Sequence, residues 1–102
     1  VTEQEIADAK AIIGRDGIGC EPASAATLAG VKRLTASGVI DSSANVIAVL
    51  TGNLLKDPGY AISYHTGKLT IGDHEHTISA NFANRPVRVS ANKDHIKRIL
   101  AL

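Results

Sequence analysis

The chain contains no methionine and no tryptophan, and its rings are confined to Tyr60, Tyr64 and Phe82. A free-standing domain of 102 residues buries roughly 65% of its unfolded surface, and large rings usually carry much of that burial. A core of Ala, Val, Ile and Leu can replace them, but the shortage predicts a piece that packs against something else. A lone cysteine, Cys20, excludes an internal disulfide and fits a reducing compartment. Eleven Lys and Arg against ten Asp and Glu leave a net charge of +1. That balance removes the electrostatic case for a nucleic-acid partner or an anionic membrane surface. The longest aliphatic run is Val46 to Leu50, far short of the roughly 20 residues that cross a bilayer. There is no charged-then-apolar leader, so the expected setting is cytoplasmic. A chain that starts at Val1 with no Met is expected to be processed, trimmed or part of something longer.

The residues present read as an α/β fold, in one unit over 1–102. Thr2 and Glu5 have capping-box spacing, and Ile6, Ala9 and Ile13 share one face, which predicts a helix over about 2–14 closed by Gly14 or Gly17. Pro22 suits a first helical position, and the small-residue stretch after it predicts a helix over 22–36 that can lie close to a sheet or a bound ring. Val46-Ile47-Ala48-Val49-Leu50 is apolar on both alternating faces, the pattern of a buried parallel strand. Such a strand needs two neighbours, and the first 45 residues offer none. The expected architecture is therefore a partial three-layer open sheet, the C-terminal piece of a larger fold. Ala61 to Tyr64 reads as a short strand or a helical turn. Leu69-Thr70-Ile71 and Thr77-Ile78-Ser79 can pair as a hairpin across Gly72-Asp73, and Val87-Arg88-Val89 reads as a short strand. Asn92 or Ser90 can cap a last helix over about 92–101.

Few residues carry recognisable chemistry. His74-Glu75-His76 places two imidazoles on one face of a strand, but zinc needs a third ligand and no metal is assigned. Cys20 stands near a helix start, where a dipole can activate a thiol; a small buried thiol is the plainer reading. No nucleophile elbow, P-loop or dinucleotide fingerprint occurs. Two segments remain: Cys20-Glu21-Pro22-Ala23-Ser24-Ala25-Ala26 and Val49-Leu50-Thr51-Gly52-Asn53-Leu54-Leu55-Lys56-Asp57-Pro58. The first sets a carboxylate at a helix start lined with small residues. The second sets a hydroxyl at the carboxyl end of the apolar segment, where open α/β sheets bind ligands. Together they form either the floor of a pocket for a flat polar ring or an ordinary helix cap beside a strand-ending turn.

These two segments resemble those of the threonine synthases, pyridoxal-phosphate enzymes of the tryptophan-synthase-β-like fold (fold type II). That family carries Glu-Pro-Ala-Ser-Ala at a helix start and, further on, Val-Leu-Thr-Gly-His/Asn-Gly-Leu-Lys-Asp-Pro at a strand end. Both occur here in that order. The resemblance covers about Val1 to Pro58, is weaker over Val87 to Leu102, and does not extend to 65–85. It implies conversion of O-phospho-L-homoserine and water to L-threonine and phosphate, with the cofactor as electron sink. Thr51 resembles the family threonine that hydrogen-bonds the pyridine nitrogen, and Glu21 the glutamate near the cofactor ring. Ser24 belongs to the same motif, and Gly52 permits close backbone approach. Asn53 matches a usual family residue, whereas Leu54 stands where the family has glycine. No lysine here matches the Ser-Phe-Lys segment of the family's cofactor-bearing lysine: Lys56 belongs to the later motif, and Lys68 to none. No catalytic residue is therefore assigned, and the chain alone is expected to be inactive. Within the complete enzyme the expected partners are a small-molecule substrate and further copies of the subunit. Two alternatives stand beside this reading: a non-catalytic module that self-associates through its sheet, and part of a threonine or serine dehydratase, which lacks the Leu-Lys-Asp-Pro continuation.

Overall fold

A computed structural model describes residues 1–73 and 76–102. Helix α1 spans Glu3–Arg15 and α2 spans Pro22–Ala36. A 3-10 turn, Leu54–Lys56, leads into α3, Pro58–His65. Strands β1, Thr70–Ile71, and β2, His76–Thr77, follow, and α4, Lys93–Ile99, comes last.

Helix α1 begins where the sequence marks it. The Thr2 hydroxyl accepts from the Glu5 amide at 3.2 Å, and the Glu5 carboxylate accepts from the Thr2 amide at 2.6 Å. Two otherwise orphaned donors are thereby satisfied, and the bond to Thr2 lowers the Glu5 pKa. Thr2→Ala is expected to destabilise the folded chain by about 1 kcal/mol in urea titration.

The centre of the molecule is α1, which buries two sides. Ala9 and Ile13 pack with Cys20, Ala25 and Ala29, with Ile6, Leu28 and Leu50 alongside. Ala7 and Ala11 pack with Tyr64, Leu69 and Ile78. The alanines face one another across the α1–α2 contact, so the two backbones approach closely without large side chains between them. Asp8 gathers the second side: its carboxylate accepts from the Tyr64 hydroxyl at 2.6 Å, Gln4 at 2.9 Å and Asn81 at 2.9 Å. Gln4 pairs with the backbone of Ser79 as a strand would, donating to its carbonyl and accepting from its amide, both at 2.8 Å.

The α/β class holds only coarsely. Residues 46–50 do not form the expected buried parallel strand. The segment has no ladder partner among the described residues; Ile47 is 90% exposed and Val49 70%. Only Leu50 turns inward, onto the α1–α2 core. The reason is local and physical: a strand is stable only when its amides and carbonyls are paired, and the described residues supply no neighbouring strand. The one sheet described is the antiparallel pair β1–β2, with Thr70 opposite Thr77 and Ile71 opposite His76. The partial three-layer sheet is therefore not formed. Val87 to Val89 is likewise exposed and unpaired rather than a strand. Of the two readings of Ala61 to Tyr64, the helical one holds, as part of α3. The last helix is shorter than expected: Asn92 caps it, and it ends at Ile99.

The radius of gyration is 15.9 Å, against about 13 Å for a compact 100-residue domain. Val39, Ile47, Val49, Leu55 and Val87 all face solvent. No described helix is long and apolar enough to cross a membrane.

Candidate functional site

The four residues singled out in the sequence, Glu21, Ser24, Thr51 and Gly52, come together. Glu21 caps α2 with its backbone: its carbonyl accepts from the Ala25 amide at 3.2 Å, while its own amide donates to the Gly52 carbonyl at 3.1 Å. Ser24, buried in the first turn of α2, reaches back to the loop. Its Oγ accepts from the amide of Thr51 and from the amide of Gly52, each at 3.1 Å. The Ser24 and Thr51 hydroxyl oxygens lie 3.4 Å apart. Residues 27 positions apart are thus locked by one hydroxyl.

Gly52 is required here by proximity rather than by backbone angle. A Cβ at this position would lie 1.9 Å from Glu21 Cδ and 2.2 Å from its Oε1. The Glu21 carboxylate, largely shielded from solvent, is held by Lys56, whose Nζ donates to Oε2 at 2.6 Å. That bond, with the charge of Glu21 behind it, pushes the Lys56 pKa up. Lys56 is therefore a cation at neutral pH and a poor nucleophile, which agrees with its assignment to the loop motif alone.

Leu54 and Asn53 account for the path of the loop where it departs from the glycine pattern. The Leu54 side chain rests on Gly19, whose backbone is left-handed at φ +66°; a Cβ there would meet Leu54 Cδ2 at 2.8 Å. The Asn53 side chain accepts from the Leu55 amide at 2.8 Å, closing the 3-10 turn. Its carboxamide oxygen is thereby used by its own backbone.

Lys10 is the residue that sequence reasoning missed. It is buried, and its Nζ donates to the Cys20 carbonyl at 2.6 Å, bracing the link directly before Glu21. Burial lowers its pKa, with Cys20 and Asp57 opposing the shift. A signal was available: Lys10 lies four residues after Ile6 and three before Ile13, on the apolar stripe itself. Cys20 is fully buried, and burial raises its pKa, so it is the inert packing thiol of the plainer reading. The His74-Glu75-His76 cluster lies largely outside the described residues; His76, its described member, is exposed in β2. No group of potential metal ligands occurs among the described residues.

A cavity of about 590 Å³ lies elsewhere, between Arg15, His65, Asn84 and Arg85. It touches the loop only at Leu54 and is lined by none of the four candidate residues. The chemistry present at the four-residue cluster is instead that of an open wall. It has a hydroxyl on an exposed, amide-anchored loop, a glycine beside it, and a carboxylate paired with a lysine.

Three relatives place this wall among enzyme sequences. Threonine synthase of Methanocaldococcus jannaschii is 33% identical over 101 residues, 98% of this chain and 20% of the relative. That of Halalkalibacterium halodurans is 40% identical over 98 residues, 95% of this chain and 24% of the relative. That of a Bacillus species is 39% identical over 101 residues, 98% of this chain and 25% of the relative. No family model matches the chain, and no solved structure does. The chain belongs to the threonine synthase family and spans about a fifth to a quarter of the length of these curated relatives.

Proposed function

We propose that these residues are the C-terminal portion of a threonine synthase and form one wall of its pyridoxal-phosphate cleft. The complete enzyme would convert O-phospho-L-homoserine and water to L-threonine and phosphate. The observation that carries this reading is the double acceptance by Ser24 Oγ, which joins the two family motifs into one surface.

The residues fit the pyridine side of that cofactor. A neutral hydroxyl can donate to an unprotonated ring nitrogen, whereas a free carboxylate beside it would hold the nitrogen protonated. Thr51 offers the hydroxyl, and the Glu21 charge is engaged by Lys56. Thr51 would hold the ring nitrogen; Gly52 would let the loop backbone lie close to Glu21; Ser24 would hold the loop. When bound, pyridoxal phosphate supplies the electron sink for the proton transfers of the reaction. The lysine that bears the cofactor and the groups that hold its phosphate belong, on this reading, to the remainder of the enzyme.

The exposure of Ile47 and Val49 supports the same reading. Their segment leads directly into Thr51, and strands from the rest of the catalytic domain would complete its ladders. The full-length protein carrying these residues is expected to release phosphate from O-phospho-L-homoserine only with pyridoxal phosphate present. Formation of a 2-oxo acid from threonine or serine instead would assign it to the dehydratases. Thr51→Val is expected to weaken cofactor binding about tenfold, the worth of one hydrogen bond of about 1.4 kcal/mol. Thermal stability of the cofactor-free variant should hardly change, because Thr51 is exposed; equilibrium dialysis and a melting scan without cofactor separate the two effects.

A further inference from the structure

We propose that Ser24 is a positioning residue that sets the direction of the Thr51 hydroxyl proton, fixing Thr51 as a donor toward the cleft. A serine hydroxyl has one hydrogen and two lone pairs. Both acceptor positions of Ser24 Oγ are taken by the amides of Thr51 and Gly52. Its single remaining capacity is to donate. The oxygen within reach of that hydrogen is Thr51 Oγ1, at 3.4 Å. Thr51 Oγ1 is therefore the acceptor in this pair, and its own hydrogen cannot point back at Ser24.

The consequence is a one-way relay. Ser24 is buried in the first turn of α2, while Thr51 is exposed on the loop, so the side left open to the Thr51 hydrogen is the one away from Ser24. The wall then selects a ligand that accepts at this point, such as an unprotonated heteroaromatic nitrogen. It discriminates against a ligand presenting an N–H, because that ligand would need the Thr51 hydrogen turned inward, where Ser24 already donates. Without Ser24 the Thr51 hydroxyl could rotate, accept as readily as donate, and lose this selectivity. The identity of the ring as pyridoxal phosphate rests on the function proposed above; the orientation of the hydroxyl rests on hydrogen-bond capacity alone.

The test uses the full-length enzyme loaded with pyridoxal phosphate labelled with ¹⁵N in the ring. The ring-nitrogen chemical shift should report an unprotonated, hydrogen-bonded nitrogen in the wild type. In Thr51→Val it should move to an unbonded value, with a cofactor dissociation constant raised about tenfold. In Ser24→Ala, where the Thr51 hydroxyl is free to turn and donates only part of the time, it should move part of the way, with a smaller rise. The double variant should be no worse than Thr51→Val alone, since Ser24 acts on the ring only through the Thr51 hydroxyl. Ser24→Thr, which keeps the hydroxyl, should restore the wild-type shift.

Ser24→Cys weakens both the donation and the two acceptances, so the ring-nitrogen signal should move toward the Ser24→Ala value. Hydrogen exchange at the Thr51 and Gly52 amides, read alongside, reports how far the loop itself has loosened. An unchanged ring-nitrogen shift in Ser24→Ala and Ser24→Cys, with Thr51→Val still effective, would overturn the role of Ser24 alone. Additive losses in the double variant would do the same. An unchanged shift in Thr51→Val would overturn the cofactor reading together with it.

Discussion

Gly52→Ala in the full-length enzyme is expected to lower cofactor affinity and turnover by about fivefold, the scale of opening an ion pair worth about 1 kcal/mol beside a positioned loop. The added methyl cannot be accommodated where Glu21 now lies, since a Cβ would fall 1.9 Å from the carboxyl carbon and 2.3 Å from Cγ. A glutamate side chain can swing away, but this one is held by Lys56 at 2.6 Å, and its backbone amide is bonded to the carbonyl of Gly52 itself. Either the Lys56–Glu21 pair opens or the loop moves, and a loop movement carries Thr51 with it. The two routes differ in a background of Glu21→Ala. There the three atoms nearest the added methyl are gone, so Gly52→Ala should cost less than it does beside Glu21. Steady-state kinetics and cofactor dialysis on the four proteins of this cycle measure the coupling. Equal penalties for Gly52→Ala with and without Glu21 would show that the glycine serves some other contact.

Tyr64→Ala should be the most damaging change to stability, on the order of 4 kcal/mol in denaturant titration. Tyr64 is 2% exposed and packs between Ala7, Ala11, Leu69 and Ile78, where it is the largest side chain. Its hydroxyl donates to Asp8 at 2.6 Å and accepts from the Phe82 amide at 3.1 Å. Removing the ring opens a cavity and leaves Asp8 short of a donor. Burial, and then the bond to Asp8, push the Tyr64 pKa up to about 12 from an ordinary value of 10.0. Because the folded state holds this proton more tightly, the contribution is fully present below pH 10. It is lost as pH rises through about 12, at most ~3 kcal/mol. Unfolding titrations at a series of pH values should show this fall for the wild type. Tyr64→Phe should be less stable at neutral pH and fall less steeply across the same window, the remaining slope coming from other shifted groups such as Tyr60 and Cys20.

The helix starts were legible because their signals are local. Thr2 with Glu5, and Asn92, each satisfy orphaned amides within one turn, Pro22 starts α2 with no amide to satisfy, and α1 and α2 run as their periodicity suggests. The segment 46–50 was not, because burial of a strand is a property of its neighbours. An aliphatic pentapeptide states a demand for two flanking strands and cannot supply them. Helix α3 was only half legible: Tyr60, Ile62 and Tyr64 alternate as a strand would, and the decisive features are Pro58 at its first position and the anchoring of Tyr64 on α1. At the site, the proximity of the four candidate residues could be anticipated from the two motifs. The direction of the bonds between them could not, since a serine in a small-residue helix looks like filler until its partners on the loop are known. Lys10 lay hidden for the opposite reason, as a charged residue on an apolar stripe that reads most simply as a solvated face.

The most direct measurement is the structure of the full-length protein with pyridoxal phosphate bound. Thr51 Oγ1 should lie about 3 Å from the ring nitrogen, with Ser24 still accepting from both loop amides and residues 46–50 laddered on each side. A ring nitrogen that faces a different donor, over a segment 46–50 that remains unpaired in solvent, would contradict the placement of this wall in the cofactor cleft.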